Sequence, residues 1–202
     1  MTIKDFGARV ESVWEGLRPV TKKMLVGAMQ TNIISPKPKF SYDIQSDWEL
    51  SRLLSALDEQ AGNAEIKKNT EAISEIKHLA ETVVDVLEAQ SESAEVFIQL
   101  AERALKQKDY RQIDKITNAL MSRFSVGEMC EIVRQTENPA IRALGYETLA
   151  LMPTQKLLQL IDDPLYDEII RNVIEQQAFE FDNEQARQVM EQMEFIDEMN
   201  DE

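Results

Sequence analysis

Apolar residues recur every three or four positions along most of this chain, a spacing that predicts amphipathic α-helices. In the first such segment, five apolar residues share one face of a helix predicted over about residues 3–17: Phe6, Val10, Val13, Trp14 and Leu17. This helix is expected to end at Arg18-Pro19, because proline disfavours helical geometry in the residue before it. No run of alternating apolar and polar residues is typical of a strand. We therefore predict an all-α fold of about ten helices without strands.

A second amphipathic helix is predicted over about residues 20–30, followed by a connector over 31–46. The connector contains Ser35-Pro36-Lys37-Pro38-Lys39, which cannot continue a helix. Ser46 and Glu49 then have the spacing of a capping box, in which each side chain accepts from the other's backbone amide. The helix that follows is predicted to bury four leucines and to end near Gly62-Asn63.

The longest helix is predicted over about residues 64–90. Its apolar residues follow a heptad pattern, with Asn69 as a polar exception. The positions of this heptad seam are Ile66, Ile73, Ile76, Ala80, Val83 and Leu87. Two interpretations remain open. The helix could form a homodimer with its own copy, or it could pack in a bundle with the other N-terminal helices, which Val84 and Val86 favour because they broaden the apolar stripe.

The C-terminal half carries several helix-start signals after a turn at Ser91–Ser93 and a helix over about 94–106. Asp109 with Gln112 and Ser125 with Glu128 have the capping-box spacing. Asn138-Pro139 and Asp163-Pro164 each predict a capping residue before a proline at the first helical position. Asp182 or Asn183 is expected to cap a last helix whose apolar residues are Val189, Met190, Met193, Phe195 and Ile196.

Two stretches of this half share one pattern of apolar residues around an Asn/Asp-Pro turn. Each stretch has three apolar residues, the turn, an Ile-Arg pair and a further apolar residue. The first comprises Met129, Ile132, Val133, Asn138-Pro139, Ile141-Arg142 and Leu144; the second comprises Leu157, Leu160, Ile161, Asp163-Pro164, Ile170-Arg171 and Val173. Their offset of 28 to 29 residues predicts stacked helix pairs, which bury their apolar faces only against neighbouring pairs.

The segment from Asn138 to Ala150 resembles the second helix of a HEAT-like repeat, with its Asn-Pro turn, its Ile141-Arg142 pair and the small or aliphatic residues that follow. The segment from Asp163-Pro164 to Ala178 resembles it too, although Ile174 and Gln177 replace small residues. The turn at Lys108-Asp109-Tyr110, within residues 101–120, is similar to that of a tetratricopeptide repeat. These resemblances, over roughly residues 94–180, imply a HEAT-like α-solenoid that binds proteins or peptides in a concave groove.

The net charge of −15 is unevenly distributed along the 202 residues. Residues 1–40 carry a balance of +4, whereas the last 28 residues hold ten acidic residues and one basic residue, Arg187. A surface of this sign repels nucleic-acid phosphate, so direct binding of DNA or RNA is not expected. It would instead attract a protein partner with a basic patch.

Candidate catalytic and metal-binding residues are few. Glu75 and His78 lie one helical turn apart and could complete a metal site only between subunits, since His78 is the one histidine. A nucleophilic Ser or Cys130 would need the same histidine as its base, and Cys130 is predicted to be a buried, inert thiol. No phosphate-binding glycine motif or CxxC pair occurs. We therefore expect no enzyme activity, no cofactor and no bound metal.

Four further residues could serve either packing or binding. Trp14 and Trp48 are predicted core anchors, with exposed binding hot spots as the alternative. Arg142 and Arg171 occupy matching positions of the two stretches and are expected to pair within their own repeat rather than with a ligand.

Together, these patterns predict an N-terminal helical region over residues 1–90 and a HEAT-like region over 94–202 with an acidic C-terminal cap helix. The predicted function is a non-enzymatic interaction module, or adaptor, that binds a protein through an acidic solenoid surface. The alternative is an acidic mimic of nucleic acid that inhibits a DNA- or RNA-processing enzyme. Charged residues interrupt the N-terminus, and no run of about 20 apolar residues occurs. We therefore expect a cytoplasmic protein that does not span a membrane.

Overall fold

The computed structural model describes residues 3–31 and 42–200. Within those ranges the chain contains eleven α-helices and no strand, which confirms the predicted all-α fold. It forms two compact units, Met1–Leu100 and Ala101–Glu202. The helices are α1 Ala8–Gly16, α2 Pro19–Thr31, α3 Ile44–Gly62, α4 Thr70–Gln90, α5 Ala94–Gln107, α6 Tyr110–Arg123, α7 Val126–Gln135, α8 Pro139–Ala150, α9 Thr154–Leu157, α10 Asp167–Phe179 and α11 Glu184–Asn200. No described helix has the length and apolarity needed to cross a membrane.

The helix predicted over residues 3–17 is wrong as one continuous element. A 3₁₀ turn, Ile3–Phe6, is separated from α1 by Gly7, whose φ of 100° is not helical. A side chain at this position would also meet the Gln60 amide, which lies 2.6 Å from the site of an added Cβ. Backbone with positive φ favours glycine, and the close approach of Gln60 leaves no room for a Cβ. The predicted break before Pro19 is observed, and α2 begins at that residue.

The start of α3 differs from the prediction. Asp43, not Ser46, is the capping residue, and Ser46 is its reciprocal partner at the third helical position. The Asp43 carboxylate accepts from the Ser46 amide at 2.9 Å. Glu49 therefore takes no part in the cap and is buried instead. The Ser35–Lys39 part of the predicted connector lies outside the described residues.

The predicted 64–90 helix is wrong at its N-terminal end. A 3₁₀ turn over Ile66–Lys68 comes first, and Asn69 then caps α4 by accepting from the Ala72 amide at 3.1 Å. The polar exception in the heptad seam is thus a capping residue. From Ile76 onward the seam positions are buried, and α4 packs against α3 and α2 inside the N-terminal unit. A homodimer through residues 64–90 stays a prediction.

The core of the C-terminal unit is built mainly from α7, α8 and α10, together with apolar residues of α9 and α11. Helix α10 packs against both α8 and α11, and α7 packs against α8. The buried residues of this core are Met129, Cys130, Val133, Leu149, Ala150, Leu157, Ile169, Ile170, Val173, Ile174, Ala178 and Ala186. Burial of apolar area on this scale is the main favourable contribution to folding.

Most of the predicted helix starts in this unit are observed. Asp109, Ser125 and Asn138 each accept from a backbone amide in the first turn of α6, α7 and α8, respectively. Asp182 and Asn183 are the two residues predicted to cap the last helix. Asn183 is the cap, since its Oδ1 accepts from the Gln185 amide at 3.0 Å. The side chains of Phe195 and Ile196 lie outside the described part of α11.

The second of the two similar stretches departs from the first. The Asp163-Pro164 pair does not start a helix, since α10 begins only at Asp167. The Asp163 carboxylate accepts from the Leu165 amide at 2.9 Å, and its carbonyl accepts from the Tyr166 amide at 2.9 Å. These bonds close a separate turn, as aspartate commonly does. The helix before this turn is also short, with α9 followed by a 3₁₀ turn over Leu158–Leu160. The HEAT-like repeat therefore stays a prediction.

Candidate interaction surface

The residues with possible catalytic roles take ordinary structural positions. His78 is exposed on α4, where Glu75 precedes it by one turn. Cys130 is fully buried in α7, and this burial raises the pKa of its thiol to about 12. A thiol of this kind is not a nucleophile at neutral pH. Among the residues that the structure describes, no group of three or more His, Cys, Asp or Glu side chains could hold a metal ion.

The two tryptophans differ in their surroundings. Trp14 is half-buried in α1, whereas Trp48 is 54% exposed, so its predicted place in the core is wrong. The buried stripe of α3 runs through Leu50, Leu53 and Leu57, and Trp48 lies outside that stripe. The Arg52 guanidinium lies 4.5 Å from the centre of the Trp48 ring and covers part of one face.

Arg142 joins the two helices of the first predicted repeat. Its Nη2 donates to the Thr136 carbonyl at 2.6 Å, at the C-terminal end of α7. The bond satisfies a carbonyl that the helix leaves without an internal donor. Its counterpart, Arg171, is exposed on α10.

A polar cluster fastens the junction between α1 and α2 to the start of α3. Glu49 is only 3% exposed, and it accepts from the Arg18 amide at 3.0 Å, from Arg18 Nε at 3.2 Å and from the Thr21 hydroxyl. The Arg18 guanidinium also donates to both oxygens of Asp43, at 2.9 and 2.6 Å. These bonds hold the pKa of Asp43 well below its usual range. The cluster is paired throughout and stabilises the fold.

A second pair lies beside this junction. The Tyr42 hydroxyl donates to the Asp47 carboxylate. Burial raises the pKa of Tyr42 above its usual value and also raises the pKa of Asp47. A carboxyl with a raised pKa is a feature of many active sites, but here the tyrosine hydroxyl occupies one of its oxygens.

In the C-terminal unit, Glu131 connects α7 to the turn before α10. Arg134 donates to it at 2.7 Å and the Tyr166 hydroxyl donates at 2.6 Å. The hydrogen bond from Arg134 is the main cause that lowers the pKa of Glu131 to about 2. The bond to Glu131 in turn raises the pKa of Tyr166 to about 12. Both shifts follow from partners within the chain.

All buried side-chain nitrogen and oxygen atoms in the described part of the chain have a hydrogen-bond partner. An active or ligand site often holds a buried polar group whose partner is the ligand. The polar clusters described above are paired within the chain.

Six large apolar side chains are exposed on the described part of the C-terminal unit, and three of them, unlike Tyr110, Met121 and Leu165, lie at two turns that hydrogen bonds join. Leu151 is 55% exposed, Phe179 is 70% exposed and Phe181 is 51% exposed. Leu151 begins the turn between α8 and α9, Phe179 is the last residue of α10, and Phe181 lies in the turn between α10 and α11. We call these three residues the turn patch.

The two turns lie side by side because a buried glutamine joins them. Gln177 Nε2 donates to the carbonyls of Ala150 and Met152 at 2.9 and 2.6 Å. Its Oε1 accepts from the Thr154 hydroxyl at 2.8 Å, and Asn183 Nδ2 donates to the same hydroxyl at 3.2 Å. Gln177 and Thr154 are both buried. The turn patch therefore lies on a fixed base rather than on loosely held loops.

Acidic side chains surround the second turn. Glu175, Glu180, Asp182 and Glu184 are all exposed within ten residues of sequence. Arg187 forms ion pairs with Asp182 and Glu184, the latter at 3.3 Å. The Glu180 carboxylate accepts a hydrogen bond from the side-chain amide of Gln176 at 2.9 Å. Because this donor is neutral, the contact does not offset the negative charge of Glu180. The surroundings of the turn patch are thus both apolar and negatively charged.

The sequence patterns did not identify the turn patch, although one signal was present. The buried residues of α10 follow a helical period through Ile170, Val173, Ile174, Gln177 and Ala178. Phe179 falls outside this phase, so a large aromatic residue there is predicted to face away from the core. Leu151 lies just after the last residue of α8, so helical periodicity does not predict whether its side chain is buried or exposed.

Comparison with family models, with curated proteins and with solved structures finds no match to this chain.

Proposed function

We propose that this chain is a non-enzymatic interaction module that binds a protein partner through the acidic surface of its C-terminal unit. The observation that carries the proposal is the turn patch, three exposed apolar side chains at two hydrogen-bonded turns, the second of which lies in an acidic stretch. Exposed apolar groups that cluster within a polar rim mark interaction sites more often than isolated ones do.

The predicted repeat organisation supports the proposal. Met129 and Leu157 are buried at matching positions of the two stretches, as are Ile141 and Ile170. Stacked helix pairs present their connecting turns along a common edge and commonly use such surfaces for binding. A HEAT-like arrangement of α7–α10 is therefore part of the proposal, with the short α9 as its departure from the regular pattern.

Charge supplies the second support. Opposite charge across an interface accelerates encounter and rejects partners of the wrong sign. The excess of acidic residues in the C-terminal stretch therefore favours a partner whose contact surface is basic.

Affinity capture from native extract of the source cells, followed by mass spectrometry, tests the proposal with three baits. The first bait is the unchanged chain. The second carries Glu175→Lys and Glu180→Lys, and the third carries Glu65→Lys and Glu71→Lys, exposed residues of the N-terminal unit. Both variants change the net charge by the same amount, so they differ only in where the acidic surface is reversed.

We expect a protein that the first and third baits retain and the second loses. Equal retention by all three baits contradicts a role for the acidic C-terminal surface. A DNA- or RNA-processing enzyme that is recovered at low salt and released as salt rises would favour the nucleic-acid mimic instead, because such binding is electrostatic.

A further inference from the structure

The turn patch places large apolar side chains where a turn ordinarily carries small or polar ones. More than half of the surface of each of Leu151, Phe179 and Phe181 remains in contact with water. Their neighbours Ala150 and Ala178 belong to the buried core of the unit, whereas these three side chains do not. Their apolar area is therefore available for a partner.

The base of the patch is fixed before any partner binds. Gln177 of α10 donates to the carbonyls of Ala150 and Met152, and the Thr154 hydroxyl donates to Gln177 and accepts from Asn183. A surface that needs no reordering loses less conformational entropy on binding, so more of the contact energy appears as affinity.

The charged residues near the patch indicate which kind of segment could bind there. Glu175 lies in the last two turns of α10, Glu180 follows its last residue, and Asp182 lies in the same connecting turn as Phe181. Arg187 offsets Asp182 and Glu184 through ion pairs, and Arg171 is the one other basic residue between positions 167 and 187. An apolar surface with a negative rim is complementary to a segment that carries apolar side chains with Lys and Arg beside them.

We propose that the turn patch is the docking site for a basic amphipathic helix of the partner protein. The apolar face of that helix packs on Leu151, Phe179 and Phe181, and its Lys and Arg side chains pair with Glu175 and Glu180. Amphipathic helices are a recurring form of recognised segment, because one face supplies apolar anchors and the flanks supply charge. This inference rests on the proposed function and names the surface and the chemistry of its occupant.

A defined probe tests the docking site on the full chain. The probe is a fluorescently labelled helical peptide of Leu and Lys with all leucines on one face, and its control is a peptide of the same composition with the order scrambled. Fluorescence anisotropy measures the Kd of each peptide at physiological ionic strength.

The matched variants are Phe179→Ser with Phe181→Ser, and Tyr110→Ser with Met121→Ser. Both pairs replace large apolar side chains that are exposed on the C-terminal unit, but only the first pair belongs to the turn patch. We expect the amphipathic peptide to bind at least tenfold more weakly to the first variant and unchanged to the second. Leu151→Gln provides an independent variant, for which we expect at least threefold weaker binding. Far-ultraviolet circular dichroism checks that each variant is folded.

Three results would overturn the docking site. One is absence of binding by the amphipathic peptide. Another is equal binding of the amphipathic and scrambled peptides, unaffected by the patch variants and lost at high salt. That result would mean that the peptides bind by charge alone. It would contradict the docking site but not the proposed acidic interaction surface. The third is concentration-dependent dimerisation that the Phe179→Ser, Phe181→Ser variant abolishes, which makes a second copy of the chain the occupant.

Discussion

Replacing Gly145 with alanine should destabilise the C-terminal unit, because Val133 of α7 occupies the space that the new side chain would need. A Cβ at residue 145 would lie 2.7 Å from Val133 Cγ2, well inside an ordinary contact distance. Val133 cannot move aside easily, since it is buried and its branched side chain has one strongly preferred rotamer in a helix. The two helices must separate, or Val133 must leave that rotamer.

Two opposing effects set the magnitude. Alanine is a better helix former than glycine by about 1 kcal/mol. An added methyl group in a packed core costs about 1–3 kcal/mol. With Val133 unable to yield, we expect the cost to exceed the gain and the free energy of unfolding to fall by about 1 kcal/mol. Val133→Ala alone should cost about 2 kcal/mol, because it removes two buried methyl groups.

The two changes together should cost less than their sum by at least about 1 kcal/mol, since the smaller residue 133 makes room for the new methyl group. Urea denaturation followed by far-ultraviolet circular dichroism gives the four free energies of this cycle. Gly27→Ala is the matched control, because no atom lies within 4 Å of its added Cβ. We expect it to stabilise the protein by up to about 1 kcal/mol. If Gly145→Ala also stabilises the chain and its effect adds to that of Val133→Ala, the close packing of α7 on α8 is refuted.

Three further predictions follow from the polar clusters and the buried thiol. Glu49→Ala should lower the free energy of unfolding by about 2–4 kcal/mol, because it leaves the Arg18 amide and side chain without a buried acceptor. Glu49→Gln should cost less, and a loss below about 0.5 kcal/mol for the alanine variant, measured in urea, would contradict this role. The Cys130 thiol, with a pKa of about 12, should react with a thiol reagent at mildly alkaline pH far more slowly in the folded chain than in urea; equal rates would contradict its burial. The pKa of Glu131 falls from 4.5 to about 2 on folding, so its stabilising contribution is present above about pH 4.5 and is lost as pH falls toward 2. The Glu131→Gln variant should therefore lose less stability over that pH range than the unchanged chain, and parallel pH profiles would refute this.

The features that could be predicted from the sequence are those that depend on neighbouring residues. Asp109, Ser125 and Asn138 cap helices through amides only two or three residues away, so a short motif was enough to locate them. The periodic apolar faces of α7, α8 and α10 were also visible, because each helix buries one stripe.

The features that could not be predicted depend on residues far apart in the chain. Glu49 fits a local capping box with Ser46, but Arg18, 31 residues earlier, recruits its carboxylate into a buried cluster. In the sequence, Gln177 departs from the repeat pattern, which has a small residue at that position. The structure explains the glutamine, because its side chain donates to the carbonyls of Ala150 and Met152. Neither partner is visible in the local sequence.

The turn patch shows the same limit. A helical phase places Phe179 outside the core, but it does not show that a second turn with its own exposed leucine lies beside it. That arrangement follows from the hydrogen bonds of Gln177 and Asn183 to the turn around Thr154. An interaction surface made from two turns therefore needs the tertiary structure to be recognised.

Hydrogen–deuterium exchange of the whole chain, alone and with the protein recovered by affinity capture, tests the central claim most directly. The account predicts slower exchange on binding in the two turns of the patch, residues 150–154 and 177–183. Slower exchange confined to the N-terminal unit, with these two turns unchanged, would contradict it.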